Sequence, residues 1–162
     1  LSLGYEGERE TMDLRLQEPM DLEELVRRLN EAMPEGLRIL SAAPAVMKAG
    51  EAVLARYRLS IGCDPEKVRA LLERETIPVE KRTKKKTMKT VDLKPVVETS
   101  GAVVSEGEAG TALLELELPC GGDLSVNPSL LIDALKRETG EENLRYTVRR
   151  LKVAAADGTP FH

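Results

Sequence analysis

The residue types with the most conspicuous chemistry form a basic run inside an acidic chain, whose formal net charge is −4. The candidate phosphate-contacting residues are Lys81, Arg82, Lys84, Lys85, Lys86, Lys89 and Lys94. Clustered lysines neutralise phosphates and release their counterions, so the run predicts a surface for RNA or another polyanion. The alternative is a solvated strand whose lysines protect a sheet edge from aggregation.

An extended backbone would divide this basic run between two faces. Alternate side chains of a strand point to opposite sides of the sheet, and the run is interleaved with threonine and methionine. Either face would therefore carry about half of the charge that the run contains.

The other reactive residue types form no recognisable catalytic or metal-binding pattern. Cys63 and Cys120 are predicted at opposite ends of neighbouring antiparallel strands, roughly 20 Å apart at ~3.3 Å per residue, which is too far for a disulfide. The single histidine is His162, and neither a zinc-ligand spacing nor an iron–sulfur cysteine triplet occurs. The turn Gly121–Asp123 lacks the lysine of a phosphate-binding loop. The sequence thus predicts no catalytic residue, no metal and no cofactor.

Three strand–helix–strand units must position these residues. In the first unit, Met12, Leu14 and Leu16 alternate as in a half-buried strand. Asp21, with a glutamate three residues later, predicts the start of a helix, and the segment LRILSA (37–42) is predicted to return as a strand.

The second and third units repeat this pattern. The second has a strand ending at Ile61, a helix that begins with Asp64-Pro65, and a strand IPVEKR (77–82). The third has the strand TALLELELP (111–119), a helix that starts at Asn127-Pro128 and the closing strand LRYTVRRLKV (144–153). Between them, residues 91–97 are predicted to be extended, and residues 100–101 and 106–110 to turn.

These units predict an α+β protein made of tandem ferredoxin-like (βαββαβ) units, with antiparallel sheets and helices packed on one face. Residues 1–48 would form the C-terminal half of a first domain. Residues 49–157 would form a complete second domain with a long basic strand or hairpin at 78–110, and residues 158–162 a tail. The alternative is one continuous mixed sheet with three helices on a face.

Composition favours a soluble, cytoplasmic protein. The two cysteines are too few for a disulfide framework, which favours a reducing compartment. No basic-then-apolar leader opens the chain, and its apolar runs are far shorter than a membrane helix requires. Aromatic residues make up 2% of the chain, so the stacking platforms of many single-strand binders are absent.

Four segments resemble a bacterial family of radical-SAM-linked proteins, encoded beside or fused to a radical-SAM protein. In chain order they are LSLGYEGERETMDLRL, DLEELVRRLNEAMPEGLRIL, EKRTKKKTMKTVDLKPVV and SVNPSLLIDAL. The resemblance implies a domain of unknown function whose partner, the radical-SAM protein, brings the iron–sulfur cluster and S-adenosylmethionine. Members of that family carry a further strand and helix before the equivalent of Leu1, so we expect the N-terminal part to be missing here.

The favoured hypothesis is a non-catalytic accessory module of a radical-SAM system that binds RNA or a protein partner through its basic strand. One alternative is a structural module that forms homo-oligomers by strand exchange at an open sheet edge. A third is an RNA-processing enzyme, which rests on analogy of fold alone.

Overall fold

A computed structural model of the chain describes residues 4–82, 87–121 and 125–160, without the side chains of Ala49 and Arg82. Its internal contacts separate two units. The larger unit combines residues 4–10 with residues 50–160, and the smaller unit is Thr11–Ala49. Within the described ranges, no helix is both long and apolar enough to cross a membrane.

The larger unit contains a five-stranded sheet, a separate two-stranded hairpin and helices. Its strands are β1 (Tyr5–Gly7), β2 (Leu54–Ile61), β3 (Pro78–Arg82), β4 (Met88–Asp92), β5 (Val103–Glu106), β6 (Ala112–Pro119) and β7 (Tyr146–Ala154). The smaller unit supplies the helix α1 (Leu22–Ala32). The helices of the larger unit are α2 (Pro65–Glu73), α3 (Lys94–Thr99) and α4 (Ser129–Thr139).

The strand order in the five-stranded sheet is β1-β7-β2-β6-β5. Strands β7, β2, β6 and β5 are antiparallel to their neighbours, whereas β1 adds to the outer side of β7 in a parallel orientation. Because α2 follows β2 and α4 joins β6 to β7, the four antiparallel strands and these two helices have the ferredoxin-like βαββαβ connectivity. The predicted α+β class is confirmed.

Strict alternation in the central strands creates the core. In β2 the residues Ala55, Tyr57, Leu59 and Ile61 are buried, and the residues between them face away from the core. β6 alternates in the same way, and Val68 of α2 and several residues of α4 bury against these side chains. The carboxylate of Asp64 accepts from the backbone N–H of Glu66 at 2.9 Å, so α2 begins where the Asp-Pro pair predicts.

The strand that follows α2 was predicted to join this sheet, and that prediction was wrong. β3 pairs only with β4, and the edge position beside β6 is taken by β5. β3 lies against α4, where Arg137 donates through Nη2 to the carbonyl of Pro78 at 2.6 Å. Val104 of β5 packs against the core from that edge position, while Val79 of β3 is buried in the same core, so burial alone does not decide between the two strands.

The extended conformation predicted for residues 91–97 is also wrong beyond Leu93. A helix, α3, begins at Lys94, and its second residue is a proline. The carboxylate of Asp92 accepts from the backbone N–H of Lys94 at 3.0 Å and from that of Ile77 at 2.7 Å. One aspartate therefore both starts α3 and fixes the end of the hairpin, and these two bonds lower its pKa.

In the smaller unit the helix is confirmed and the two flanking strands are not. Asp21 caps α1 by accepting from the backbone N–H groups of Glu23 and Glu24, each at 3.0 Å. The segments 12–16 and 37–42 have irregular backbone, and Leu40 is 70% exposed. The backbone of Ile39 is satisfied by the side-chain amide of Asn30 in place of a neighbouring strand. Alternating apolar residues form a sheet only where a strand partner is available.

The strand near Tyr5, β1, joins the five-stranded sheet of the larger unit. The boundaries predicted at residues 48 and 157 stay a prediction.

Candidate polyanion-binding surface

The basic hairpin, which we define as Pro78–Asp92, carries the predicted site. Its register places Lys81 directly opposite Lys89, and Val79 opposite Val91. Because positions two apart share a face, both lysines lie on the same face as the two valines. Val79 is fully buried, so near this residue the face packs against the hydrophobic core. At Lys81 and Lys89 the same face carries positive charge.

The two lysines of this pair differ in their surroundings. Lys81 is half-buried, and its Nζ donates to the carbonyl of Ser125 at 2.6 Å. Lys89 is exposed. One cation of the pair is thus held in place by the loop that precedes α4, and the other is open to solvent.

The remaining predicted cations fall into two groups. The backbone of Arg82 pairs with that of Met88, but the side chain of Arg82 lies outside the described residues, as do Lys84, Lys85 and Lys86. Lys94 lies on α3, and its Nζ donates to the carbonyl of Leu72 at 2.9 Å near the end of α2. Its side chain is only 18% exposed. Lys94 therefore connects α3 to α2.

The open face of the five-stranded sheet carries a second group of charges, which sequence reasoning missed. Arg56 and Arg58 of β2 both contact Glu115 of β6, at 3.1 and 2.7 Å. The hydrogen bond from Arg58 is the main reason that the pKa of Glu115 is lowered. The sequence signal was the placement of arginines and glutamates at alternate positions of β2 and β6, which is also typical of any solvated sheet face.

A groove of about 610 Å³ lies over this open face. Two arginines, Glu108 and Glu115 line it, together with hydroxyl and apolar side chains. The positive and negative charges in the lining are therefore equal in number, so the groove has no net attraction for an anion. The basic hairpin remains the stronger candidate for a polyanion.

Arg149 and Arg150 are consecutive residues of β7, so their side chains lie on opposite faces of the sheet. Arg58 pairs with Arg149 and Tyr57 pairs with Arg150, and the register shifts only beyond these pairs, between Arg56 and Tyr57. Arg149 bonds to Glu6 of β1, and this bond raises the pKa of Arg149. Arg58 and Arg149 carry like charges and would repel each other across the two strands. Glu115 beside Arg58 and Glu6 beside Arg149 compensate this repulsion.

On the helix side of the sheet, the side chain of Arg150 contacts a carboxylate and a tyrosine hydroxyl. Its Nε donates to Glu10 at 2.9 Å, and its guanidinium also bonds to Tyr57. Burial raises the pKa of Tyr57 in spite of that cation. Tyr5 bonds to the Asn127 side chain, and its hydroxyl accepts from the backbone N–H of Ser129 at 3.2 Å. These contacts attach β1 to the start of α4.

Both cysteines are free thiols, as predicted. β2 and β6 are antiparallel, with Ile61 opposite Ala112 and Leu54 opposite Pro119, so Cys63 and Cys120 follow opposite ends of the strand pair. Burial raises the pKa of each thiol. Among residues 4–82, 87–121 and 125–160, no three histidine, cysteine or acidic side chains are grouped as a metal site would require.

The fold and these surfaces define an α+β protein with a basic hairpin beside a ferredoxin-like sheet. A model of one protein family matches residues 1–128, most of the chain, and is described as an uncharacterized protein conserved in bacteria (DUF2344). The chain belongs to this bacterial family. Comparisons with curated proteins and with solved structures gave no match.

Proposed function

We propose that this protein is a non-catalytic binding module of a radical-SAM system, and that its basic hairpin holds a polyanion such as RNA. The observation that carries the proposal is the pairing of Lys81 with Lys89 across two strands. Like charges directly opposite each other destabilise a hairpin, and an anion bound between them relieves the repulsion.

The surroundings of Lys81 strengthen this argument. A lysine on a fully exposed hairpin could swing away from its neighbour at little cost, since its side chain is long and flexible. Lys81 is instead hydrogen-bonded to the carbonyl of Ser125, which limits that movement. The exposed ammonium group of Lys89 is then free to contact phosphate, and Lys84, Lys85 and Lys86 in the adjoining sequence add to the positive charge.

The proposed partner comes from the resemblance in sequence. Four segments of this chain are similar to radical-SAM-linked proteins, which implies that a radical-SAM protein supplies the cluster and S-adenosylmethionine. In this proposal the hairpin presents or retains the substrate, and the chemistry takes place on the partner. Co-purification of the full-length protein with the radical-SAM protein encoded beside it tests this part; failure to recover the pair would contradict it.

RNA binding is tested by fluorescence anisotropy with a labelled single-stranded RNA at a series of salt concentrations. The logarithm of the affinity should fall linearly with the logarithm of salt, with a slope of about 0.7 for each phosphate contacted. Replacing Lys84, Lys85 and Lys86 together by Glu should abolish binding. Incubation of the same RNA with the protein, followed by gel analysis, reports any cleavage separately.

A matched control is available in the smaller unit. Arg15, Arg38 and Lys48 are exposed, so changing all three to Glu alters the net charge by as much as the triple lysine change, without touching the hairpin. This variant should bind RNA nearly as well as the unaltered protein. Equal loss in both variants would show that only net charge matters, and absence of binding at low salt would contradict the RNA proposal outright.

A further inference from the structure

The attachment of β1 to the sheet is short, and it combines backbone pairing, ion pairs and the partly buried ring of Tyr5. Among the residues that the structure describes at this end of the chain, Tyr5, Glu6 and Gly7 pair with β7, opposite Val148, Arg149 and Arg150. One further backbone bond runs from the N–H of Glu8 to the carbonyl of Arg150, at 2.9 Å. Such a short edge strand contributes little to stability by itself.

Charge complementarity supplies the specificity of this attachment. Glu6 pairs with Arg149 at 2.7 Å, and Glu10 pairs with Arg150. The edge of β7 is thus basic, and the strand that covers it is acidic. Any acidic strand with this spacing would fit the same edge, and a second copy of β1 fits it by identity.

A long segment connects β1 to the rest of the larger unit, and none of its described side chains is buried in the hydrophobic core. From Gly4 to Leu54, none of the side chains that the structure describes is buried, and the first core residue is Ala55. The smaller unit, Thr11–Ala49, makes up nearly all of this connection. A long connection lets β1 reach the β7 edge of a neighbouring molecule, and its length adds little to the entropic cost.

The same connection holds most of the exposed large hydrophobic residues in the described chain. Large hydrophobic residues that are exposed include seven between Thr11 and Ala49: Met12, Leu14, Leu16, Leu22, Leu37, Leu40 and Val46. Outside that segment the described residues of this kind are Met88, Val103 and Tyr146. Apolar surface concentrated in this way favours association.

We propose that two copies of this chain exchange residues 4–10, so that β1 of each copy pairs with β7 of the other. Every hydrogen bond and ion pair of β1 is kept, because the two edges are identical. A dimer also brings two Thr11–Ala49 segments together, so that burial of their exposed apolar side chains against each other adds favourable free energy. This gain offsets the entropy lost on association. The proposal is independent of polyanion binding.

Two measurements test the exchange. Light scattering over a wide range of concentrations should show a shift from 17.8 kDa to about twice that mass. In a second experiment, a Glu6→Cys chain and an Arg149→Cys chain are unfolded together, refolded and oxidised. These positions are register partners, so a disulfide between the two chains forms only if β1 of one lies on β7 of the other. Mass spectrometry identifies the joined peptides without removal of the native cysteines.

A control pair uses Glu66→Cys in place of Glu6→Cys, because Glu66 lies exposed on α2 and pairs with no strand. The exchange predicts the inter-chain disulfide for the first mixture and its absence from the control. A single-chain mass at every concentration would overturn the proposal. Dimers that lack this disulfide would also overturn the proposal, since they would associate through another surface.

Discussion

Lys81 and Lys89 lie directly opposite each other on the same face of the β3–β4 hairpin, and only Lys81 is fixed by a hydrogen bond to the loop before α4. The pair has opposite consequences for folding and for binding. Repulsion between the ammonium groups weakens the hairpin, whereas together they attract phosphate. A substitution at Lys89 therefore separates the two effects.

Lys89→Glu should stabilise the hairpin and weaken polyanion binding at the same time. An opposite-charge pair with Lys81 replaces a like-charge pair, which should raise the free energy of unfolding by about 0.2–1 kcal/mol. Urea unfolding measures this gain, and RNA anisotropy measures the loss of affinity. Thr90→Glu is the mirror-image control, because it faces Glu80 and should destabilise the hairpin. If Lys89→Glu binds RNA as tightly as the original protein, Lys89 is not part of the polyanion site.

The difference in burial between the two units predicts a large difference in mutational cost. Leu59 is 0% exposed in the centre of the sheet, and Leu59→Ala should lower the free energy of unfolding by about 2–5 kcal/mol. Leu40 is 70% exposed, and Leu40→Ala should cost less than about 0.5 kcal/mol within one chain. Urea unfolding at low protein concentration compares them. Similar losses of unfolding free energy in the two variants would show that the Leu40 side chain is buried in solution.

Glu115 predicts a specific contribution to acid stability. Its pKa in the folded state is lowered from 4.5, first by the hydrogen bond from Arg58. A lowered carboxyl pKa gives stability that is present above the unfolded value and is lost as the pH falls through the folded value. Glu115→Gln should therefore be less stable than the original protein near pH 7, and the difference should vanish in acid. Urea unfolding at several pH values measures it.

Glu35→Gln serves as the control for that experiment, since it removes one negative charge from an exposed position in the smaller unit. Its stability difference should stay near zero throughout. A Glu115→Gln difference that is constant with pH would mean that its carboxylate is not held by Arg58 and Arg56.

The elements that sequence predicted well are those whose signals are local. Asp64-Pro65 starts α2 and Asp21 starts α1, because the capping atoms belong to the same turn. The alternation in β2 and β6 gave both the strands and their buried faces. Local patterns of this kind need no knowledge of what lies across the sheet.

The elements that sequence reasoning missed depend on distant partners. Alternation at Met12, Leu14 and Leu16 is as clear as in β6, yet it forms no strand where the backbone has no neighbour. β5 takes the sheet edge although β3 also packs a valine on the core, and β3 is instead held on α4 by the bond from Arg137 to Pro78. For the candidate site, the sequence predicts a basic strand or hairpin, and the opposition of Lys81 and Lys89 follows only from the register of the two strands.

Tyr5 should control how firmly β1 is held. Tyr5→Phe removes the hydroxyl that bonds to Asn127 and accepts from Ser129, while its ring can stay in place. Amide hydrogen exchange should become faster at Glu8, whose N–H bonds to Arg150, and stay unchanged at Leu59 in β2. High salt should act in the same direction, because it screens the exposed pair of Glu6 and Arg149. Unchanged exchange at Glu8 in both experiments would mean that backbone pairing alone holds the strand.

The two thiols should be slow to react at neutral pH, and Cys120 should react before Cys63. Burial raises the pKa of both thiols, so less of each is ionised at pH 7 than of an exposed cysteine. Cys120 is half-buried and Cys63 is buried, which orders their access to reagent. Alkylation followed by mass spectrometry at pH 7 and pH 9 should show both rates rising with pH. A Cys120→Ser chain isolates the signal of Cys63. Rapid labelling of Cys120 at pH 7 would instead indicate that the nearby guanidinium of Arg150 stabilises its thiolate, and that burial is the weaker effect.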